Sequence, residues 1–146
     1  MPSTFGFETD EDREQEQRER EARHAADQQH AGALASQHDH IITLILTDLA
    51  DADRNALGQT QVERGLIGHT WLLVPAGWRP GSARTDWILS VTLSVTDQEP
   101  SLLITSQVGN RIPQRNIDRL REVLEASTEI PTTIEGFVAQ APRPGP

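Results

Sequence analysis

Cysteine is absent from the 146 residues, and its absence rules out disulfides, thiolate nucleophiles, cysteine-ligated zinc and iron–sulfur centres. Lysine is absent too. All 13 basic residues are arginine, which points to a GC-rich genome rather than to function, because arginine carries chemical meaning only at specific pairs. Positive charge is also outweighed: 22 acids leave a net charge of −9, which repels phosphate backbones and disfavours nucleic-acid binding by a general electrostatic mechanism. No apolar run approaches the ~18 residues of a membrane-spanning helix. The opening Met-Pro-Ser-Thr-Phe-Gly-Phe runs into acids without the basic patch and apolar core of a signal peptide. The expected compartment is therefore the cytoplasm, with no membrane partner.

Against these absences stands one strongly patterned stretch. Trp87, Leu89, Val91, Leu93 and Val95 alternate with Ile88, Ser90, Thr92, Ser94 and Thr96, a period of two that describes a strand with one buried face. A slip of one residue would expose all five large apolar groups. Burying each is worth roughly 1.5–3 kcal/mol, so the register is fixed by the hydrophobic effect. With 36% hydrophobic residues the chain can build one small core, and the rest is read as cover or continuation of this strand.

Residues 8–27 carry nine of the 22 acids and four arginines, with no apolar side chain larger than alanine. Glu14 with Arg18, Glu16 with Arg20 and Glu19 with Arg23 are i, i+4 pairs worth about 0.2–0.5 kcal/mol each, which favours a solvated helix. Residues 1–32 are accordingly expected to be an acidic arm, helical or disordered, that could dock on an arginine-rich partner. A single α+β domain is expected over 33–140 and a proline-rich tail over 141–146.

Leu34, Ile41, Ile45, Leu49, Ala52 and Ala56 recur at helical spacing before Gly58, a C-terminal cap. The β-branched run Ile41 to Leu46 also allows a strand there. If helical, Ile42, Leu44 and Leu46 widen the apolar stripe beyond one face. The spacing then predicts a helix buried on two sides, between its own sheet and a second subunit, with two-fold self-association.

Gln59 to Gly65 reads as a polar loop and His69 to Val74 as a first strand, followed by the turn-rich Pro75 to Ser82. Asp97 to Pro100 is a turn and Ser101 to Val108 a third strand, so the second and third strands form a hairpin. Pro113 opens a helix with the stripe Ile117, Leu120, Val123 and Leu124, and Thr132 to Gln140 returns as a strand. The predicted fold class is α+β: an N-terminal helix, a three-stranded antiparallel meander, a helix and a fourth strand, in one sheet covered by helices.

Candidate chemistry is sparse. Asp51, Asp53 and Asn55 match the first three ligands of a calcium loop, but Ala56 stands where glycine is needed and Val62 where the closing acid belongs. The pattern predicts a solvated helix end. His24, His30, His38 and His40 cluster in sequence, yet His38 and His40 point about 200° apart around a helix and cannot chelate one ion from one face. They read as surface histidines. Only His69, Asp86 and a hydroxyl from Ser82 or Ser90 can be assembled into a catalytic group, and no nucleophile-elbow glycines accompany either serine. No glycine-rich phosphate loop is present, so neither a metal nor a cofactor is expected. Trp78, in Gly-Trp-Arg-Pro-Gly, is either a lid over the core or an exposed anchor. Arg111, Arg115, Arg119 and Arg121 read as a solvated helix flank that could receive an acidic partner or the protein's own N-terminal arm.

The stretch Leu102-Leu103-Ile104-Thr105-Ser106 through Ile112-Pro113, the helix with Leu120, Val123 and Leu124, and Gly136-Phe137-Val138 resemble the third strand, second helix and fourth strand of type III secretion chaperone-like domains, including the bacterial sensory-transduction-regulator family. The resemblance covers residues 67–140 and concerns the order of elements. It implies a non-enzymatic homodimer that binds a segment of another protein, an inference by fold-level analogy. The leading expectation is thus a chaperone- or adaptor-like interaction module, with Trp78, Arg79, Ile42, Leu44, Leu46, Arg111 and Arg115 as partner-binding residues. The alternatives are a viral tail or connector subunit, and a small hydrolase or ligand-binding enzyme using His69 and Asp86.

Overall fold

The computed structural model describes residues 10–65, 68–79, 87–106 and 112–135. In chain order these form α1 (Asp10–Ala52), α2 (Arg54–Leu57), β1 (Thr60–Arg64), β2 (Thr70–Pro75), β3 (Leu89–Thr96), β4 (Glu99–Ser106), α3 (Gln114–Thr128) and β5 (Thr132–Glu135). The sheet has five strands in the order β1-β2-β3-β4-β5, antiparallel except for the β4–β5 pair, which is parallel and joined through α3.

The α+β class and the central hairpin match the expectation; the strand count does not. Gln59 to Gly65, expected to be a loop, contains β1, whose Val62 lies opposite Leu73. Its signal is weak because Thr60-Gln61-Val62-Glu63-Arg64 is a polar edge strand, and edges are kept short and charged to prevent pairing with other chains. The alternating stretch forms β3 as its period of two requires. Leu89, Val91 and Leu93 point to the helices, where they meet Trp71 and Leu73 of β2 and Leu102 and Ile104 of β4 in one core. On the opposite face Thr92 is half-buried and Ser94 exposed, while Ser90 is buried.

β3 and β4 join through Asp97 and Gln98 alone, both at positive φ (53° and 69°). That geometry matches strand twist but normally demands Asn-Gly. Here the compensation comes from α1. Asp27 is buried, and its carboxylate accepts the backbone N–H of Asp97 at 3.0 Å and of Gln98 at 2.9 Å.

The acidic arm and the expected helix from Ala33 are one continuous helix of 43 residues, and residues 41–46 belong to it. Acids fill its first turn, where the helix dipole favours them, and Arg13 pairs with Asp10 at 3.3 Å. Residues 10–26 are exposed throughout, so packing of this helix begins at Asp27 and continues through Ala31 and Ala35. The packed length therefore starts ahead of Ala33. The arm was expected to bury nothing because its side chains are polar; Asp27 is an exception because a carboxylate can be buried when two N–H groups meet it.

A second polar tie holds α1 to the sheet. Trp71 is fully buried and donates its indole N–H to Asp39 at 2.8 Å, while Arg64 pairs with the other oxygen of Asp39 at 3.2 Å and lies over the Trp71 ring at 5.8 Å. Arg64 and Trp71 are register partners on adjacent strands. One carboxylate thus joins helix, edge strand and core.

Two expectations follow. A chain lacking residues 1–26 should keep the urea midpoint of the full protein, whereas one lacking residues 1–30, or carrying Asp27→Ala, should lose about 1–3 kcal/mol, because hydrogen bonds to a charged acceptor disappear. Equal midpoints for the two truncations would remove the role given to Asp27. Asp39→Ala should likewise cost about 1–3 kcal/mol by stranding a buried indole N–H. Asp51→Ala, which breaks only the exposed pair with Arg54, should change stability by less than about 0.5 kcal/mol in the same denaturation series.

Candidate functional site

α1 uses its circumference unevenly. Ile42 and Leu46 are wholly buried in the core with the sheet, so the expectation that they offer surface to a partner is corrected: their side of the helix is occupied by the protein's own strands. Ile45 and Leu49, one step round, turn to the seam with α3. Leu44 alone of the three is exposed, at 45%.

α3 brings its own stripe to this seam. Pro113 sits at its N-cap in extended backbone, Ile117, Leu120 and Leu124 are buried, and Glu129 in the left-handed region ends it. Thr132 then fastens the start of β5 to the helix by donating its N–H to Glu125 at 3.1 Å. Val123 remains 37% exposed on the outer side.

Between the helices runs a groove of about 390 Å³, lined by Ile45, Asp48, Leu49 and Ala52 of α1 and by Asn116, Arg119, Leu120 and Val123 of α3. Its floor is apolar. Asp48 and Arg119 stand on opposite walls, both exposed, and among the described residues neither has an ion-pair partner. One end is closed by Asn116, whose side-chain amide donates to both carboxylate oxygens of Asp53 at 3.0 and 3.1 Å. Asp53, which sequence spacing placed in a failed calcium loop, is thus the fastener between the walls. Leu44 and Val123 are the large hydrophobic side chains left exposed among the described residues; Val123 lines the groove, whereas Leu44 lies outside its lining, one turn before Asp48 on α1.

A second, more polar hollow of about 220 Å³ lies where α1, α2 and β1 meet, with Asp51, Arg54 and Gln61 among its lining. Asp51 and Arg54 are already paired at 3.2 Å, and Gln61 donates to Glu63 at 2.8 Å, so its polar groups are mutually satisfied.

The other candidates fall elsewhere. Trp78 is 8% exposed, its indole N–H without a hydrogen-bond partner among the described residues, while Arg79 beside it is exposed. Arg115 is exposed on the first turn of α3; Arg111 lies outside the described residues. His69 is half-buried, its carbonyl accepting from Leu93 at 2.9 Å and its ring beside Gly32. Asp86 and Ser82, its suggested catalytic companions, also lie outside the described residues. Among the described residues no three His, Asp or Glu side chains come together as metal ligands, and no helix is long and apolar enough to cross a membrane. Sequence reasoning named Leu44, and Arg119 as part of an arginine flank, but missed Asp48, Asn116 and the role of Val123 at the seam. The two stripes were legible separately; that they meet is a long-range fact.

No protein-family model, no curated protein and no solved structure matches this chain.

Asn116→Ala should lower stability by about 1 kcal/mol, the worth of an ordinary internal hydrogen bond, and should speed amide exchange in the first turn of α3. Unchanged exchange there would mean that Asn116 does not hold the walls together.

Proposed function

We propose that this protein is a non-enzymatic interaction module, chaperone- or adaptor-like, that binds protein through the seam between α1 and α3. One observation carries the reading: an apolar-floored groove runs between two helices, with Val123 of α3 left 37% exposed in its lining and Leu44 of α1 45% exposed one turn from Asp48, outside the lining. A monomeric surface scatters single hydrophobic residues, whereas a grouped set beside a groove is how binding faces are built. Charge supports the same choice. The seam presents Asp48 and Arg119, so a partner can be oriented by one acid and one base without crossing the repulsive field of the acidic surface. The expectation that Trp78 and Arg79 form the anchor is set aside in this proposal, because Trp78 is buried.

Leu44→Glu and Val123→Glu test the proposal directly. Both side chains are substantially exposed, so folding should change by less than about 1 kcal/mol, while association with whatever protein the wild type captures should fall at least tenfold, as for the loss of ~1.4 kcal/mol or more at a hot spot. Glu135→Ala, on the exposed end of β5, should leave capture unchanged. Equal capture by all three variants would overturn the reading.

A further inference from the structure

We infer that the occupant of the α1–α3 seam is a second copy of this chain, paired about a two-fold axis. The inference deepens the reading above by naming the partner, and it rests on that reading.

Three observations lead to it. Asp48 and Arg119 are the first. Each is exposed, each lacks an ion-pair partner among the described residues, and they stand on opposite walls of one groove without pairing to each other. A two-fold axis makes a contact self-complementary, so residue i of one copy meets j of the other and j meets i. One acid and one base on opposite walls are the simplest charge pattern that satisfies this condition. Each Asp48 then meets the other copy's Arg119, and both charges are used.

The second is the spacing of the outer stripe of α1. Leu34, Ile41 and Asp48 step by seven, and Ile45 and Ala52 step by seven beside them, the 3.5-residue period of helices that pair side by side. Ile45 also belongs to the protein's own core and Leu34 and Ile41 are partly buried against it, so the stripe runs along the border of the core and leaves Asp48 and Ala52 exposed. A single charged position within such a stripe fixes register, which is the part Asp48 would take.

The third is electrostatic. The chain carries −9, so two copies repel wherever acidic surface faces acidic surface. At the seam the charges of Asp48 and Arg119 cancel, so this face is locally neutral and apolar-floored on an otherwise acidic protein. The stripe from Leu34 to Ala52 is about 28 Å long and two adjacent helices are roughly 20 Å wide, a projected face of about 560 Å², at the small end of what a specific dimer buries per partner.

The test uses charge reversal in the full chain. The wild type at micromolar concentration should sediment at twice 16.2 kDa. Asp48→Arg and Arg119→Asp should each weaken self-association at least tenfold, since reversal places like charges against each other twice per dimer. Both positions are exposed, so circular dichroism should stay at the wild-type signal, and any fall in urea midpoint should be no larger than the lost self-association accounts for. Mixed in equal amounts, the two single variants should pair with each other, because each reversed side chain then meets its opposite at both ends; the double variant should self-associate as well. A structural role within one chain predicts no such recovery. A wild type of 16.2 kDa throughout, or single variants that fail to pair when mixed, would overturn the inference. If the wild type is monomeric while Val123→Glu still abolishes capture of another protein, the seam receives a foreign chain and only the two-fold inference falls. If Val123→Glu alters neither assay, the interaction reading falls with it.

Discussion

Five strands present one continuous apolar face, and α1 and α3 have to cover it. The sheet is about 24 Å across at the usual strand spacing, and two helices laid side by side span about 20 Å. That shortfall shapes the molecule. α1 lies over β1, β2 and β3 while α3 lies toward β5, and the line between them is left shallow. The groove is thus a consequence of coverage: side chains such as Ile45, Leu49 and Leu120 face the joint to close the core beneath it, and Val123 beside them is left partly exposed.

Polar groups settle where that cover is anchored. Hydrophobic burial is non-directional, so it would let a long helix slide or rotate over the sheet at modest cost. Asp27 at the β3–β4 turn and Asp39 at Trp71 fix it to the sheet at two places along its length, and Asp53, just past its end, ties it to Asn116 of α3. In each the donor is an N–H that needed an acceptor, which lets a carboxylate stand at the edge of the core. A turn that lacks glycine, and whose residues sit at positive φ, is thereby held by a residue seventy positions away.

Much of this was legible in sequence wherever the signal was local and repetitive. The alternation from Trp87 to Thr96 gave β3, its face and the class of the fold, and the stripe Ile117, Leu120 and Leu124 gave α3. β1 was missed because an edge strand is made polar by the requirement not to pair further, which erases the pattern that would reveal it. The breadth of the apolar stripe on α1 was read correctly, but Ile42 and Leu46 looked like surplus because the width of the sheet they cover cannot be counted from α1 alone. Asp27 looked like one acid among nine. Nothing adjacent in sequence marks it as the residue that meets a distant turn, and the same is true of Asp53 and Asn116. Asp48 and Arg119 matter through their placement on facing walls, a relation between two segments that no single segment displays.

The exposed length of α1 has a mechanical consequence. Because residues 10–26 continue the same helix that is fixed to the sheet from Asp27 onward, they are not a tether but a spacer, carrying their free end about 25 Å beyond the last anchored turn. A tether lets its end explore a volume; a spacer confines it to a direction. A tilt of ten degrees at the Asp27 anchor would swing that end by only about 4 Å over the same length. The acids and arginines along the helix are therefore displayed at set distances from the body, like graduations on a rule.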